Sequence, residues 1–420
     1  MKVVHLSHTD IKWGASRAAF GIFQALKDSG TKVEMLVQKK FSNDKNTFGL
    51  SDSFIDDKKT KARIILDAIP IHLYTKREIG RFSFGSTGKN ISKFKLIEEA
   101  DIIHLHWINE GFISIKNIYE MGKKNKPILW TLHDMWAFTG GCHYAGACLN
   151  YKHSCGNCPY LKSPAENDFS FKILKRKKEL FKNINLTIVT PSNWLRNCAK
   201  ESSLFKESRI EVIPYAIDTD LYNRADKSEV RKELNLIEDK IYILFGSMSV
   251  TDERKGFRFF KESLNLLYNE NPELKEKIKI LVFGRAEEKM REGIPFEIFF
   301  KGRISDDKIL VKLYNASDFF VAPSLEDNYP NTVMESLACG LPVVAFNTGG
   351  LPDMITHKQN GYLADYSNAV SLKEGVEWLI MNKDEIYLRE NARKFVLERN
   401  TPGKIAESYN KLYSEVLKKK

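Results

Sequence analysis

Short runs of β-branched and aliphatic residues recur along the 420-residue chain, separated by longer stretches of mixed polarity. KVVHL (2–6), VEMLV (33–37), DIIHL (101–105), PILWTL (127–132) and LTIVT (186–190) form one series, and IYILF (241–245), KILVF (279–283), DFFVAP (318–323) and PVVAF (342–346) a second. These runs are apolar at successive rather than alternate positions, so both faces of each strand call for burial. That pattern, with helical stretches between, predicts parallel sheets covered by helices on both sides. Two series predict two doubly wound α/β domains, which we place at 1–200 and 201–402, with the hinge between Pro191 and Pro214, around residues 191–235. Residues 38–95 interrupt the first series with a polar, basic stretch holding IILDAIPIHLY (64–74), expected as an amphipathic surface helix or an ordinary insertion. No internal repeat, heptad run or low-complexity segment is present.

Composition changes this picture little. Hydrophobic residues at 43% and charged residues at 28% are those of a soluble globular protein. No stretch approaches the roughly 18 to 20 apolar residues of a membrane span, and the start, MKVVHLSHTD, reads as a strand rather than a signal peptide. The expected location is cytoplasmic, or peripheral on the inner face of the membrane. The net charge of +11 favours anionic partners. Lys and Arg are widely spread apart from KKTKAR (58–63) and the tail Lys418, Lys419, Lys420, so a solvated basic surface and a peripheral membrane contact both fit. No nucleic acid is expected, because aromatic and basic residues do not combine into a stacking motif.

Parallel sheets open their sites at the carboxyl ends of strands. That rule selects residues 8–16 (HTDIKWGAS), His133 with Asp134, residues 246–256 (GSMSVTDERKG), Gly284 with Arg285, and PSLEDNYPNTVMESLACGLPVVAF (323–346). The last stretch crowds Glu326, Asp327 and Glu335 around the start of a short helix. Asn331 follows Pro330 as a plausible N-cap and Gly340 suits the position after the helix. The amides of Asn331, Thr332 and Val333 would then be free for an anion such as a diphosphate. Glu335, expected in the first turn, is placed to accept from vicinal hydroxyls. A capped helix with its acids facing water is the bland alternative.

Cys142, Cys148, Cys155 and Cys158 form C-x5-C-x6-C-x2-C, with His143 and His153 beside them. Such a set can complete a tetrahedral structural zinc site; free or redox thiols and an iron–sulfur cluster are the alternatives. Cys198 and Cys339 read as core residues. His104 and His106 share one strand face and read as packing. GSTGKN (85–90) lacks the first glycine and the final Ser or Thr of a P-loop and is discounted.

The 323–346 stretch resembles the sugar-nucleotide signature of the retaining GT-B glycosyltransferases of family 4, the group 1 glycosyltransferases, through Pro323, Ser324, Glu335, Ala338, Gly340, Pro342, Val343 and Val344. Asn347 to Asp353 (NTGGLPD) resembles the glycine loop that follows it. Lys255 and Gly256 stand where that family has a Lys-Gly pair, Gly14 lies in the first strand-to-helix loop, and His133-Asp134 is similar to its T-x-H-D segment. The family's two acids are eight positions apart, which makes Asp327 the partner of Glu335; Glu326 has the expected residue type at nine, and we favour it for the sugar. The Asp-Asn-Tyr-Pro-Asn form is similar to that of a branch making bacterial surface polysaccharides of the colanic-acid type.

The resemblance implies two Rossmann-like domains facing across a cleft, with a last helix, residues 403–418, returning to the first domain. It implies a nucleotide diphosphate sugar as donor, held by the second domain, and a glycan or lipid-linked glycan hydroxyl as acceptor, held mainly by the first. Glu335 would hold the ribose, Glu326 or Asp327 the sugar, Lys255 and the helix amides the diphosphate, and His133 the sugar or acceptor. Retaining enzymes of this kind have no agreed protein nucleophile, and no catalytic metal is expected. Ser247 stands where many relatives carry Arg, and Arg254 can substitute by geometry. That departure and the acid spacing leave a rival of another class, a catalytically silent sugar-nucleotide or polysaccharide-binding subunit.

Overall fold

The structure, a computed structural model, describes residues 1–51, 53–74 and 82–418. Lys419 and Lys420 of the basic tail lie outside the described residues. The chain divides into two compact units, the first made of residues 1–216 with the helix Pro402–Lys418, the second of Ile217–Thr401.

In the first unit β1 (Lys2–Thr9), β2 (Lys32–Lys39), β3 (Thr47–Gly49), β4 (Ile102–Leu105), β5 (Ile128–Thr131), β6 (Leu186–Thr190) and β7 (Ile210–Val212) form a parallel seven-stranded sheet in the order β3-β2-β1-β4-β5-β6-β7. In the second, β8 (Ile241–Ser249), β9 (Ile278–Arg285), β10 (Glu297–Phe300), β11 (Phe319–Ala322), β12 (Val343–Phe346) and β13 (Gly361–Ala364) form a parallel six-stranded sheet in the order β10-β9-β8-β11-β12-β13. Both are Rossmann-like α/β domains. All nine apolar runs of the sequence became strands, and the strands without such a run, β3, β7, β10 and β13, are the four sheet edges. Edge strands are short and covered on fewer sides, so they need no continuous apolar run.

The division falls between Ala216 and Ile217, beyond residue 200, because β7 pairs with β6 through Ile188 and Ile210 and keeps its segment in the first sheet. The helix Pro402–Lys418 buries Ile405, Ala406, Tyr409, Leu412, Tyr413 and Val416, a stripe at helical spacing. It packs on the helix Gly14–Asp28 within the first unit.

The interrupting segment forms the helix Phe54–Ala68, started by Ser53, whose hydroxyl accepts from the Asp56 amide, and ended by a turn at Ile69–Leu73 containing Pro70. Asp67 on this helix is buried, and its carboxylate accepts from the amides of Gly85, Ser86 and Thr87 at 3.1, 2.6 and 3.0 Å. The P-loop-like GSTGKN thus folds as an anion nest already filled by the chain's own carboxylate. No helix among the described residues is long and apolar enough to cross a membrane.

Candidate functional site

The order of each sheet reverses beside its first strand: β1 lies between β2 and β4, and β8 between β9 and β11. Loops leaving the carboxyl ends at such a point diverge and leave a crevice. In the second unit those loops carry Arg254, Lys255 and Gly256 after β8, and Ser324, Glu326 and Asp327 after β11.

Gly256 has φ of 70°, and a Cβ there would stand 1.8 Å from the Pro323 carbonyl oxygen. Only glycine allows the Lys-Gly pair to lie against the segment that follows β11. Next to this contact the Leu325 amide donates to the Arg254 carbonyl at 2.8 Å, and Arg254 Nη1 donates to the Glu326 carbonyl at 2.6 Å. The third side is the loop after β12. There the Gly350 amide donates to the Asp327 carbonyl at 2.8 Å, and a Cβ on Gly349, whose φ is 58°, would meet that same oxygen at 2.2 Å. Three sequence-distant motifs are held in register by backbone contacts that side chains larger than hydrogen would block.

Asp327 is buried, and its Oδ2 receives Lys255 Nζ at 2.5 Å and the Ser324 hydroxyl at 3.3 Å, with Arg254 Nη1 at 3.5 Å. Burial alone would raise its carboxyl, but Lys255 and Arg254 outweigh burial and hold it below the ordinary carboxylate value. Glu326 is only partly buried. The two neighbouring acids are therefore placed differently: Asp327 fixes the lysine from inside, and Glu326 stands in the loop that Arg254 supports.

The helix that follows this loop is Asn331–Ala338, capped by Pro330 rather than Asn331. The amides of Val333 and Met334 both turn back onto the Pro330 carbonyl, at 3.1 and 3.2 Å, so the Val333 amide is spent within the chain and is not the free donor the sequence suggested. Asn331 and Thr332 sit half-buried at the helix start. At the other end the Gly340 and Leu341 amides bond to the Leu337 and Ser336 carbonyls, each at 2.9 Å, closing a Schellman motif with Gly340 at φ 70°. Because the helix begins at Asn331, Glu335 falls in its second turn, not its first, and is buried. Its Oε2 accepts from the Tyr314 hydroxyl at 2.9 Å. Burial, and then the Glu335 charge, push the Tyr314 phenol far up, so it stays a donor. Tyr314 escaped the sequence reading; its one signal is a polar tip on the buried face Leu310, Leu313, Tyr314 of the helix Asp307–Ala316.

In the first unit Gly14 opens the helix Gly14–Asp28, and Trp13 before it holds φ 64° and ψ 158°, a conformation costly for a bulky residue. The loop is anchored by Asp10, whose buried carboxylate accepts from the amides of Ile11 and Phe41 at 2.9 Å and Ser42 at 2.7 Å.

His133 follows β5, and both its ring nitrogens are engaged: Nε2 lies 3.2 Å from His106 Nδ1 and Nδ1 2.8 Å from the Tyr215 hydroxyl. The partners are side chains rather than backbone, and they extend into a continuous buried network. His106 Nε2 meets His5 Nδ1 at 3.0 Å, His5 Nε2 the Tyr413 hydroxyl at 3.3 Å, Tyr413 the His104 Nδ1 at 2.7 Å, and His104 Nε2 the Thr131 hydroxyl at 2.8 Å. Thr131 in turn meets the Tyr409 hydroxyl at 2.9 Å. Burial lowers the pKa of His133 to about 4, against a small opposing pull from Asp134, and that of His5 to about 3. It lowers His104 and His106 far as well, helped by their histidine neighbours. All four rings are neutral at pH 7, and each neutral ring passes one N–H along the network. A direct bond from His133 to a sugar therefore requires exchange of one of these partners.

Asp134 beside it accepts from Trp107 Nε1 at 2.9 Å and from the Trp136 amide at 2.9 Å, and pairs with His143 Nδ1 at 2.6 Å. Cys142, Cys148, Cys155 and Cys158 line one cavity together with Tyr151 and Gly156. Cys339 is buried, and Cys198 is half-buried against the first unit's core.

Comparison with known proteins agrees with both halves. Residues 14–221 match the family described as Glycosyltransferase Family 4, and residues 239–382 the one described as Glycosyl transferases group 1. Over 304 residues the chain is 26% identical to the putative colanic acid biosynthesis glycosyl transferase WcaC of Escherichia coli K12, spanning 68% of this chain and 67% of that one. Over 205 residues it is 30% identical to the N,N'-diacetylbacillosaminyl-diphospho-undecaprenol alpha-1,3-N-acetylgalactosaminyltransferase of Campylobacter jejuni, covering 47% of this chain and 51% of that one. Among solved structures, Anabaena HepE in complex with UDP and glucose aligns at TM-score 0.67 and 15% identity over 99% of both chains. With a family 4 domain preceding a group 1 domain, the chain belongs to the glycosyltransferases, and its fold is of the GT-B class.

Proposed function

We propose that this protein moves a sugar from a nucleotide diphosphate sugar to a hydroxyl of a glycan or lipid-linked glycan, with retention of anomeric configuration, in the synthesis of a bacterial-type polysaccharide. The observation that carries this reading is the Lys255–Asp327 pair, steadied by Arg254 in the loop that precedes the helix Asn331–Ala338. Breaking a sugar–phosphate bond builds negative charge on the departing diphosphate, and fixed positive charge there is the main electrostatic demand. Lys255 has three N–H donors and gives one to Asp327, leaving two to face phosphate oxygens. Asp327 is then a positioning residue acting through Lys255. Glu326 meets the sugar hydroxyls, Glu335 the ribose, and the start of the helix at Asn331 and Thr332 the diphosphate. Lys255 and the helix dipole take the part a divalent cation plays elsewhere. The acceptor attacks on the face the diphosphate vacates, a phosphate oxygen takes its proton, and the protein contributes alignment and charge.

A UDP-sugar is the donor suggested by structural neighbours solved with UDP, HepE among them. The basic surface is assigned to an anionic membrane. The helix Phe54–Ala68 and its following turn expose Phe54, Ile55, Ile65, Leu66, Ile69 and Leu73 beside Lys58, Lys59 and Lys61.

Incubation with labelled nucleotide sugars, with and without a lipid extract, tests the reaction. Transfer or slow hydrolysis of one donor, with an α-linked product from an α-linked donor by NMR, is expected; binding without turnover across the panel would establish the silent-subunit alternative instead. Co-sedimentation with anionic vesicles, lost on adding salt and absent with neutral vesicles, is the expected membrane result.

A further inference from the structure

The four cysteines expected to hold zinc do not gather: among the described residues no three of their sulfurs lie within 4.8 Å of one another. The strained backbone of the first unit points elsewhere. Trp13 holds φ 64° and ψ 158°, a region essentially reserved for glycine. Its indole is nonetheless 43% exposed, so the strain does not serve to bury it. The surrounding loop enforces the conformation. The Thr9 hydroxyl is bonded to the Lys12 carbonyl at 2.9 Å and to the Ser16 hydroxyl at 2.8 Å, the Arg17 amide donates to the Trp13 carbonyl at 3.0 Å, and Asp10 is fixed on the amides of Ile11, Phe41 and Ser42.

A second strained residue comes from the neighbouring loop. After β4, Glu110 at φ 54° and Gly111 at φ 71° turn the chain, and the Gly111 carbonyl accepts from Arg63 Nε at 2.8 Å. His8 joins the two loops. Its ring centre is 5.7 Å from that of Trp13 at a tilt of 32°, and 5.5 Å from that of Trp107, edge to face, while its Nε2 lies 3.8 Å from Glu110 Oε2. The His8 amide donates to the Trp107 carbonyl at 2.7 Å, and Asp134 holds the Trp107 ring through Nε1. Both loops leave adjacent strands, β1 and β4, where the order of the sheet reverses and a ligand crevice opens.

An exposed indole beside a partly exposed, acceptor-only carboxylate suits a ligand that is apolar over one face and carries O–H donors at its rim. A pyranose ring is built in this way, with C–H groups over its face and hydroxyls at its edge. Glu110 disfavours an anion, and Lys12, the cation of the first loop, lies over the Phe41 ring at 3.8 Å. We propose that Trp13 and Glu110 select the acceptor by binding a neutral sugar ring, Trp13 stacking on its C–H face and Glu110 accepting from its hydroxyls. His8 and Trp107 are positioning residues that brace both. That the sugar belongs to the acceptor rests on the transferase reading; that a sugar binds here does not.

The test is saturation-transfer NMR of the full-length protein with methyl β-D-galactopyranoside and methyl α-D-glucopyranoside, UDP present, beside thermal unfolding and hydrolysis of labelled nucleotide sugars. The wild type should saturate the ring C–H protons of at least one glycoside. Trp13→Phe keeps a stacking face and should retain most of that signal, whereas Trp13→Gly should raise the Kd about 10-fold or more. Because glycine relieves the backbone at φ 64°, Trp13→Gly should unfold at a Tm no lower than the wild type's, which loss of a merely structural tryptophan would not give. Glu110→Gln should weaken binding with Tm unchanged. A wild type that saturates neither glycoside, a Trp13→Gly protein that binds like the wild type or has a clearly lower Tm, or unchanged binding in Glu110→Gln would overturn the proposal. Glycoside binding through Trp13 without hydrolysis of any nucleotide sugar would instead sink the transferase reading and leave the sugar site standing.

Discussion

Lowering the pH from 7.5 to 5.5 is expected to destabilise the first unit through its buried histidines. An unfolded histidine titrates near 6.5. Burial holds His133 at about 4 and His5 at about 3, and His104 and His106 well down. Each folded value lies below the unfolded one, so the unfolded chain takes up the proton first. Stability is full above pH 6.5 and is lost as pH falls toward the folded values. At pH 5.5, one unit below the unfolded value, His5 and His133 each withdraw about 1.4 kcal/mol, however far the folded value has dropped. His104 and His106 act in the same direction, so the loss exceeds what His5 and His133 withdraw by themselves. Carboxylates scarcely contribute, because those held low by partners, such as Asp134 and Asp327, lose their stabilisation only nearer the unfolded value of about 3.9. The readout is urea unfolding followed by tryptophan fluorescence, since Trp13, Trp107, Trp130, Trp136 and Trp194 all lie in the first unit and only Trp378 in the second. His133→Gln should show about 1.4 kcal/mol less loss over the same pH step, a comparison in which the variant's own destabilisation cancels. Equal unfolding midpoints at the two pH values would refute the reasoning, and so would a His133→Gln loss as large as the wild type's.

Lys255→Ala removes the cation assigned to the diphosphate and leaves Asp327 buried without its nearest partner; kcat should fall by about 10²- to 10³-fold, with partial recovery in Lys255→Arg, measured by release of the nucleotide diphosphate. Gly256→Ala forces a Cβ to within 1.8 Å of the Pro323 carbonyl oxygen at φ 70°, and should destabilise the second unit by more than about 1 kcal/mol and weaken donor binding, both readable by thermal unfolding with and without nucleotide. Glu335→Gln keeps an acceptor for the Tyr314 hydroxyl while removing the charge, so calorimetry should show weaker nucleotide binding with Tm nearly unchanged. Tyr314→Phe should instead lower Tm slightly and leave binding largely intact, a contrast that separates the ribose role from packing.

Much of this protein is written in local pattern. Nine apolar runs mark nine strands because a strand covered on both faces must be apolar at every position, and that requirement is visible without knowing its neighbours. The four edge strands carry no such mark. β7, half-exposed throughout, is one of them, and its pairing keeps the chain in the first unit as far as Ala216, within the 191–235 hinge. Likewise Lys255, Asp327 and Glu335 stood out by residue type and position after strands. What the sequence left open was how each is engaged. Whether Asp327 faces solvent or locks Lys255, whether the Val333 amide is free, and where in its helix turn Glu335 falls all depend on backbone approaches at Gly256 and Gly349 and on one residue of helix register at Pro330. The histidine network shows the limit most plainly. Two-residue spacing placed His104 and His106 on one face, but their partners come from residues 5, 131, 133 and 413, joined only when parallel strands align and the last helix lies on the first unit. Burial then sets their charge, because the energy of an ion depends on the dielectric around it, and that is a property of the folded surroundings rather than of any residue in the chain.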